Sequence, residues 1–117
     1  MLIYVHQFLN ALVFSALVEG AVVLLLCLLL RKGRQTILAT ISVAVFGTMG
    51  TIPYVWFVFP TIFWYSANTA LYTAEGFAFV AEALLYRFVG KLSMRQAFLF
   101  SLLANAASYF LGRVLFG

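Results

Sequence analysis

Three glutamates, Glu19, Glu75 and Glu82, are the only acidic residues in the 117-residue chain, and all three interrupt apolar runs instead of polar ones. A carboxyl in such a setting can bind a cation, relay a proton or donate a hydrogen bond when neutral. General acid–base work at one reacting centre fits less well, because Glu75 and Glu82 stand seven residues apart, about 10 Å along a helix axis. The remaining chemistry-bearing residues are few. One histidine, His6, and one cysteine, Cys27, exclude both a multi-ligand His/Cys metal site and a disulfide within the chain. His6 reads as an interfacial residue near the N-terminus, and Cys27 as a small apolar residue in the run Val22–Leu30. With no Asp at all, no Ser-His-Asp set and no phosphate-cradling glycine loop, the chain is expected not to be an enzyme.

The elements that carry the glutamates must lie in a bilayer. Hydrophobic residues make up 66% of the chain and charged ones 9%, against about 25% charged in a soluble domain. A fold this small has too little interior to hide so much apolar surface. Crossing about 30 Å of hydrocarbon takes about 20 helical residues, and four such spans can be drawn in one membrane domain, 1–117: about 7–30, 36–57, 62–88 and 95–115. The first is a span and not a secretory signal, since it lacks a basic n-region and a small-residue cleavage site. Arg31-Lys32-Gly33-Arg34 breaks the chain after the first span. Pro53 and Pro60 bracket an aromatic turn after the second. Arg87, Gly90, Lys91, Ser93 and Arg95 mark the third break, with Ser93 placed to cap the last helix and Gln96 three residues on.

Charge sets the expected direction. Six of the seven Lys and Arg fall in the first and third breaks, and basic loops stay cytoplasmic. Loops 31–35 and 89–95 are therefore expected inside and both termini outside, in what reads as a bacterial inner membrane. The same placement explains the net charge of +4 without nucleic acid. Tyr54, Trp56, Trp64 and Tyr65 would form the outer interfacial belt. The fold expected is an all-α integral membrane protein, four transmembrane helices arranged as two hairpins. Glu19-Gly20 precedes Arg31 by the interval that separates Glu75-Gly76 from Arg87, and Arg34-Gln35 is echoed by Arg95-Gln96. Those matches suggest a parallel internal repeat; chance similarity in apolar sequence competes with it, and Glu82 is an alternative counterpart of Glu19.

Helical periodicity gathers the polar residues into faces. Asn68, Tyr72, Glu75, Phe79, Glu82 and Tyr86 run along one line of the third span. Ser101, Asn105, Ser108 and Gly112 do so on the fourth, Thr36, Thr40, Gly47 and Gly50 on the second, and Ser15 pairs with Glu19 on the first. Small, weakly polar stripes let helices approach closely. The glutamates need more than that, since a charge at mid-bilayer costs about 2.5–3.5 kcal/mol. No base lies at their depth; only Arg87 could reach toward Glu82. A carboxyl without a counter-charge is favoured neutral and could then donate to Asn105 or Tyr72.

The candidate intramembrane site is thus Glu19, Asn68, Tyr72, Glu75, Glu82 and Asn105. Two functions compete for it. The preferred expectation is a non-catalytic subunit or scaffold of a larger membrane assembly, because the loops are short and 18% of residues are aromatic, suiting contact with other membrane subunits, a second copy, or bound lipid, quinone or pigment. The alternative is a small proton- or cation-coupled transporter in which Glu75 and Glu82, with Glu19, bind the ion.

Overall fold

The computed structural model describes residues 2–116. Among them there are four long helices: α1, Leu2–Leu29; α2, Arg34–Ile62; α3, Ala67–Phe88; and α4, Met94–Phe116. They form a ring in which α1 packs on α2 and α4, and α3 packs on the same two neighbours. The bundle measures 44 × 23 × 20 Å. Its long dimension is that of a bilayer with its headgroups, about 40–45 Å. Leucines such as Leu17, Leu25 and Leu28 of α1 point outward and are more than half exposed, as lipid-facing residues would be.

Three helices, α1, α2 and α4, are long and apolar enough to cross a membrane. Helix α3 has 22 residues, but Asn68, Glu75 and Glu82 dilute its apolar content, and it does not join them on composition.

The prolines do not make the expected turn. Proline removes an N–H and crowds the preceding helical turn, and α2 absorbs both effects by widening. Residues Tyr54–Val58 form a π turn, in which the Phe59 N–H reaches back to the Tyr54 carbonyl. Pro60, in the closing segment Phe59–Ile62, has no N–H to return to the turn before it, and Trp56 O, four residues back, accepts from the Tyr4 hydroxyl. The chain therefore reverses later, at 63–66. Ser66 starts α3, its Oγ accepting from the Thr69 N–H at 3.2 Å. The second span runs to 62 instead of 57, and the third begins at 67 instead of 62.

The other two breaks follow the basic residues. Helix α1 ends with Arg31 in the left-handed region (φ 57°). The Arg31 and Lys32 N–H groups return to Leu28 O and Cys27 O at 3.2 and 2.9 Å, a Schellman ending. Lys91 takes the same left-handed conformation (φ 59°) beyond α3. Ser93 caps α4 as expected, its Oγ accepting from the Gln96 N–H at 3.2 Å. Lys32 Nζ donates to Gln96 Oε1 at 2.9 Å, so both basic loops meet at one end of the bundle.

That end is filled. Val23, Cys27, Val43, Ala44, Tyr86, Leu92, Ala97, Phe100 and Ala104 make one buried core, with the Tyr86 and Phe100 rings 5.8 Å apart, edge to face. Gly90 permits the close approach of the α3–α4 turn. A Cβ there would lie 2.8 Å from Tyr86 O and 3.1 Å from Thr40 Cγ2.

Candidate functional site

The opposite half of the bundle is hollow. A cavity of about 590 Å³ runs inward from the end that carries the N-terminus, the C-terminal turns of α4 and the α2–α3 reversal. Tyr4, Trp56, Tyr109 and Arg113 line its outer part, Gln7, Asn10 and Phe14 its wall, and Ser15, Glu19, Asn105 and Ser108 its deep end, with Glu75 facing it from α3. Small side chains leave this space: Ala11, Ala78 and Gly112 stand where the other half carries Phe100 and Tyr86. Tyr4 ties the mouth together. Its hydroxyl donates to Trp56 O, and its ring lies 5.1 Å from that of Trp56. Arg113 is held at the rim over Tyr109, Nη1 to the phenol oxygen at 3.3 Å.

Below the cavity sit two acids. Glu19 is 2% exposed and Glu82 is fully buried. They approach each other across the α1–α3 diagonal, with Thr48 beside both, Asn105 beside Glu82 and Ser108 beside Glu19. Among the neighbouring hydroxyl and amide donors only Ser108 has hydrogen-bond geometry, its Oγ donating to Glu19 Oε2 at 3.3 Å. Glu19 Oε1, both oxygens of Glu82 and Thr48 Oγ1 are buried without a hydrogen-bond partner. Gly47 of α2 makes room for Glu82: a Cβ at 47 would lie 3.5 Å from Glu82 Cγ and 3.6 Å from its Oε1. Asn105 is committed to its own helix, Nδ2 donating to Ser101 O at 2.8 Å. Arg87 does not turn toward Glu82; its guanidinium lies 5.5 Å from the Phe88 ring centre.

Four of the six residues expected at the site thus come together: Glu19, Glu75, Glu82 and Asn105. Asn68 and Tyr72 do not. Both are exposed, Tyr72 by 72%. The expected stripe on α3 is a nearly straight line, whereas the buried line is Ala70, Ala74, Ala78, Glu82 and Tyr86, an i, i+4 row. Each step on such a row overshoots one turn by about 40°, so it winds about 160° around the helix over its length. The two lines coincide at Glu82 and Tyr86 and lie on opposite sides at Asn68 and Tyr72. Small alanines draw α3 inward where the polar line points out.

The tight acid pair is accordingly Glu19–Glu82, across two helices, and not Glu75–Glu82 along one. Of the four belt aromatics, Trp64 and Tyr65 are exposed at the α2–α3 reversal, Tyr54 packs on Phe77 at 5.3 Å, and Trp56 serves the cavity wall. Thr48 was not on the expected α2 face, though the row Thr40, Ala44, Thr48 is visible in the sequence. Gln7 and Asn10, one helical turn apart on α1, are a second signal of a polar wall. No group of three or more His, Cys, Asp or Glu side chains able to hold a metal ion occurs among the described residues. The chain matches no family model, no curated protein and no solved structure.

Proposed function

We propose that this chain is a small membrane transporter that takes a cation or proton from the end bearing the termini into the cavity and on to the buried acids. The observation that carries this reading is the one-sided cavity, which is open at one end, lined in its depth by Glu19 and Glu75, and stopped by a solid core at the other. Its volume falls within the roughly 300–1,000 Å³ of small-molecule sites. In this reading all four helices span. Helix α3, with 22 residues, is about 33 Å long and keeps Glu82 off lipid by burying it. The basic end lies in the cytoplasm and both termini outside. The chemistry is binding and release, without a covalent step.

The test is flux in reconstituted vesicles. Proton- or cation-linked flux with the wild type, abolished in Glu75→Gln and in Glu19→Gln proteins that still purify as folded bundles, is the expected result. No flux with the wild type, or unchanged flux in both variants, ends this reading.

A second reading, a non-catalytic subunit or self-associating scaffold, is favoured by one observation: Asn68, Thr69, Tyr72, Thr73 and Gly76 of α3 are exposed on the outside of the bundle. Polar and small residues on a membrane helix suit contact with another helix better than contact with lipid. A larger complex in native mass spectrometry from mild detergent would support it; a clean monomer without copurifying protein, pigment, quinone or lipid would oppose it.

A further inference from the structure

We propose that Glu19, Glu82 and Thr48 form a binding site for a single dehydrated alkali cation of the sodium class, just behind the cavity. The inference deepens the transport reading and names the ion that its buried acids hold, but its own test does not depend on flux.

The observation that points to a ligand is Thr48. A threonine in a helix ordinarily returns its hydroxyl to a carbonyl one turn back. Thr40, Ser42, Thr51 and Thr61 of α2 do so, at 2.7, 2.8, 3.5 and 2.6 Å. Thr48 does not: it is fully buried, and its Oγ1 is left beside the two carboxyls with no partner. With Glu19 Oε1 and both oxygens of Glu82, it makes four buried oxygens from three helices that hydrogen bonds inside the protein leave unsatisfied. Buried polar atoms are otherwise paired almost without exception.

Two simpler explanations fit less well. A proton shared by the carboxyls would account for Glu19 and Glu82, which lie within reach of each other, but it leaves Thr48 Oγ1 unbonded. A divalent metal ion takes six or more oxygens in near-ideal arrangement or several charged ligands, and no third acidic, His or Cys side chain converges here among the described residues. An all-oxygen set suits a hard cation, and a monovalent one needs fewer charges around it. The other titratable groups that bear on the pair are Glu75, toward Glu19, and Tyr86 below, whose hydroxyl is also buried without a hydrogen-bond partner; neither is basic. Asn105 and Ser108 of α4 and Gly47 of α2 complete the surroundings and carry no charge. Glu19 also lines the cavity, which gives the ion a path. Because the cation replaces the proton that otherwise relieves repulsion between two carboxyls, sodium and protons compete.

The experiment is thermal unfolding of the purified full chain in detergent, in sodium, potassium or choline chloride at matched ionic strength, under mildly alkaline and mildly acidic conditions. Sodium should raise the midpoint with concentration, as a ligand of the native state does, more than potassium and less in acid. Thr48→Val, which keeps the volume, and Glu82→Gln should each weaken the half-maximal sodium effect, Glu82→Gln by about tenfold or more; Ser42→Ala should leave it unchanged. Equal midpoints in sodium and choline for the folded wild type would overturn the proposal, and so would a half-maximal sodium concentration that is unchanged in Glu82→Gln. If either variant does not fold, radioactive sodium binding to the wild type, displaced by acid, decides the matter instead, absence of displaceable binding being fatal. Sodium binding without flux would leave this site standing and end transport. Flux without any sodium effect would do the reverse.

Discussion

The two halves of the bundle are built from the same four helices and behave as different materials. At the basic end Tyr86, Phe100, Val43 and Leu92 fill the axis. At the end bearing the termini Ala11, Ser15, Ala78, Ser108 and Gly112 stand along it, and a cavity of about 590 Å³ remains. The boundary between them is the acid pair with Thr48. The contrast teaches that side-chain volume, more than helix placement, decides where a narrow bundle is solid and where it is hollow. The buried row on α3 changes from alanine to glutamate and tyrosine where the cavity stops.

The sharpest way to break this comparison is chemical access. Ser15→Cys, at the deep end of the cavity, should react with a small membrane-impermeant thiol reagent, while the native Cys27, fully buried in the solid half, should remain unmodified in the folded protein. Equal labelling of both positions would mean that the halves are not different. Next in size is packing. Phe100→Ala empties a fully buried site and should cost about 3–5 kcal/mol, seen as a large fall in the unfolding midpoint. Removing the exposed Phe110 ring, on the lipid side of the other half, should change it little. Smallest is Gly47→Ala. The added methyl meets its neighbours at 3.4–3.6 Å, and alanine gains up to about 1 kcal/mol in helix propensity, so stability should hold or rise slightly. The methyl nevertheless presses on Glu82, so any sodium stabilisation should weaken. An unchanged sodium effect would separate Gly47 from the site.

Much of the architecture was legible from the residues. Helix number, the two basic breaks and the Ser93 cap all follow from strong local signals: charge runs, glycine and a capping hydroxyl. The proline turn was not legible, because Pro53 and Pro60 mark a break only if the backbone cannot widen, and the π turn at Tyr54–Val58 is a tertiary accommodation with no local signature. The site was half legible. Burial of Glu19 and Glu82 followed from their position in apolar runs. The exposure of Asn68 and Tyr72 depends on how α3 crosses its neighbours, and no property of one helix sets a crossing angle. Thr48 became visible only once its neighbours' hydroxyls were seen to be used and its own was not.

The helix endings at the basic end have a consequence for biogenesis. Arg31 and Lys91 occupy left-handed positions that glycine would take with less strain, by about 1 kcal/mol. Under the topology proposed above, glycine there would remove charge that holds each loop on the cytoplasmic side as the chain inserts. On that reading the best residue for the finished turn and the best residue for reaching it are different amino acids at these two positions, and the chain carries the one that serves insertion.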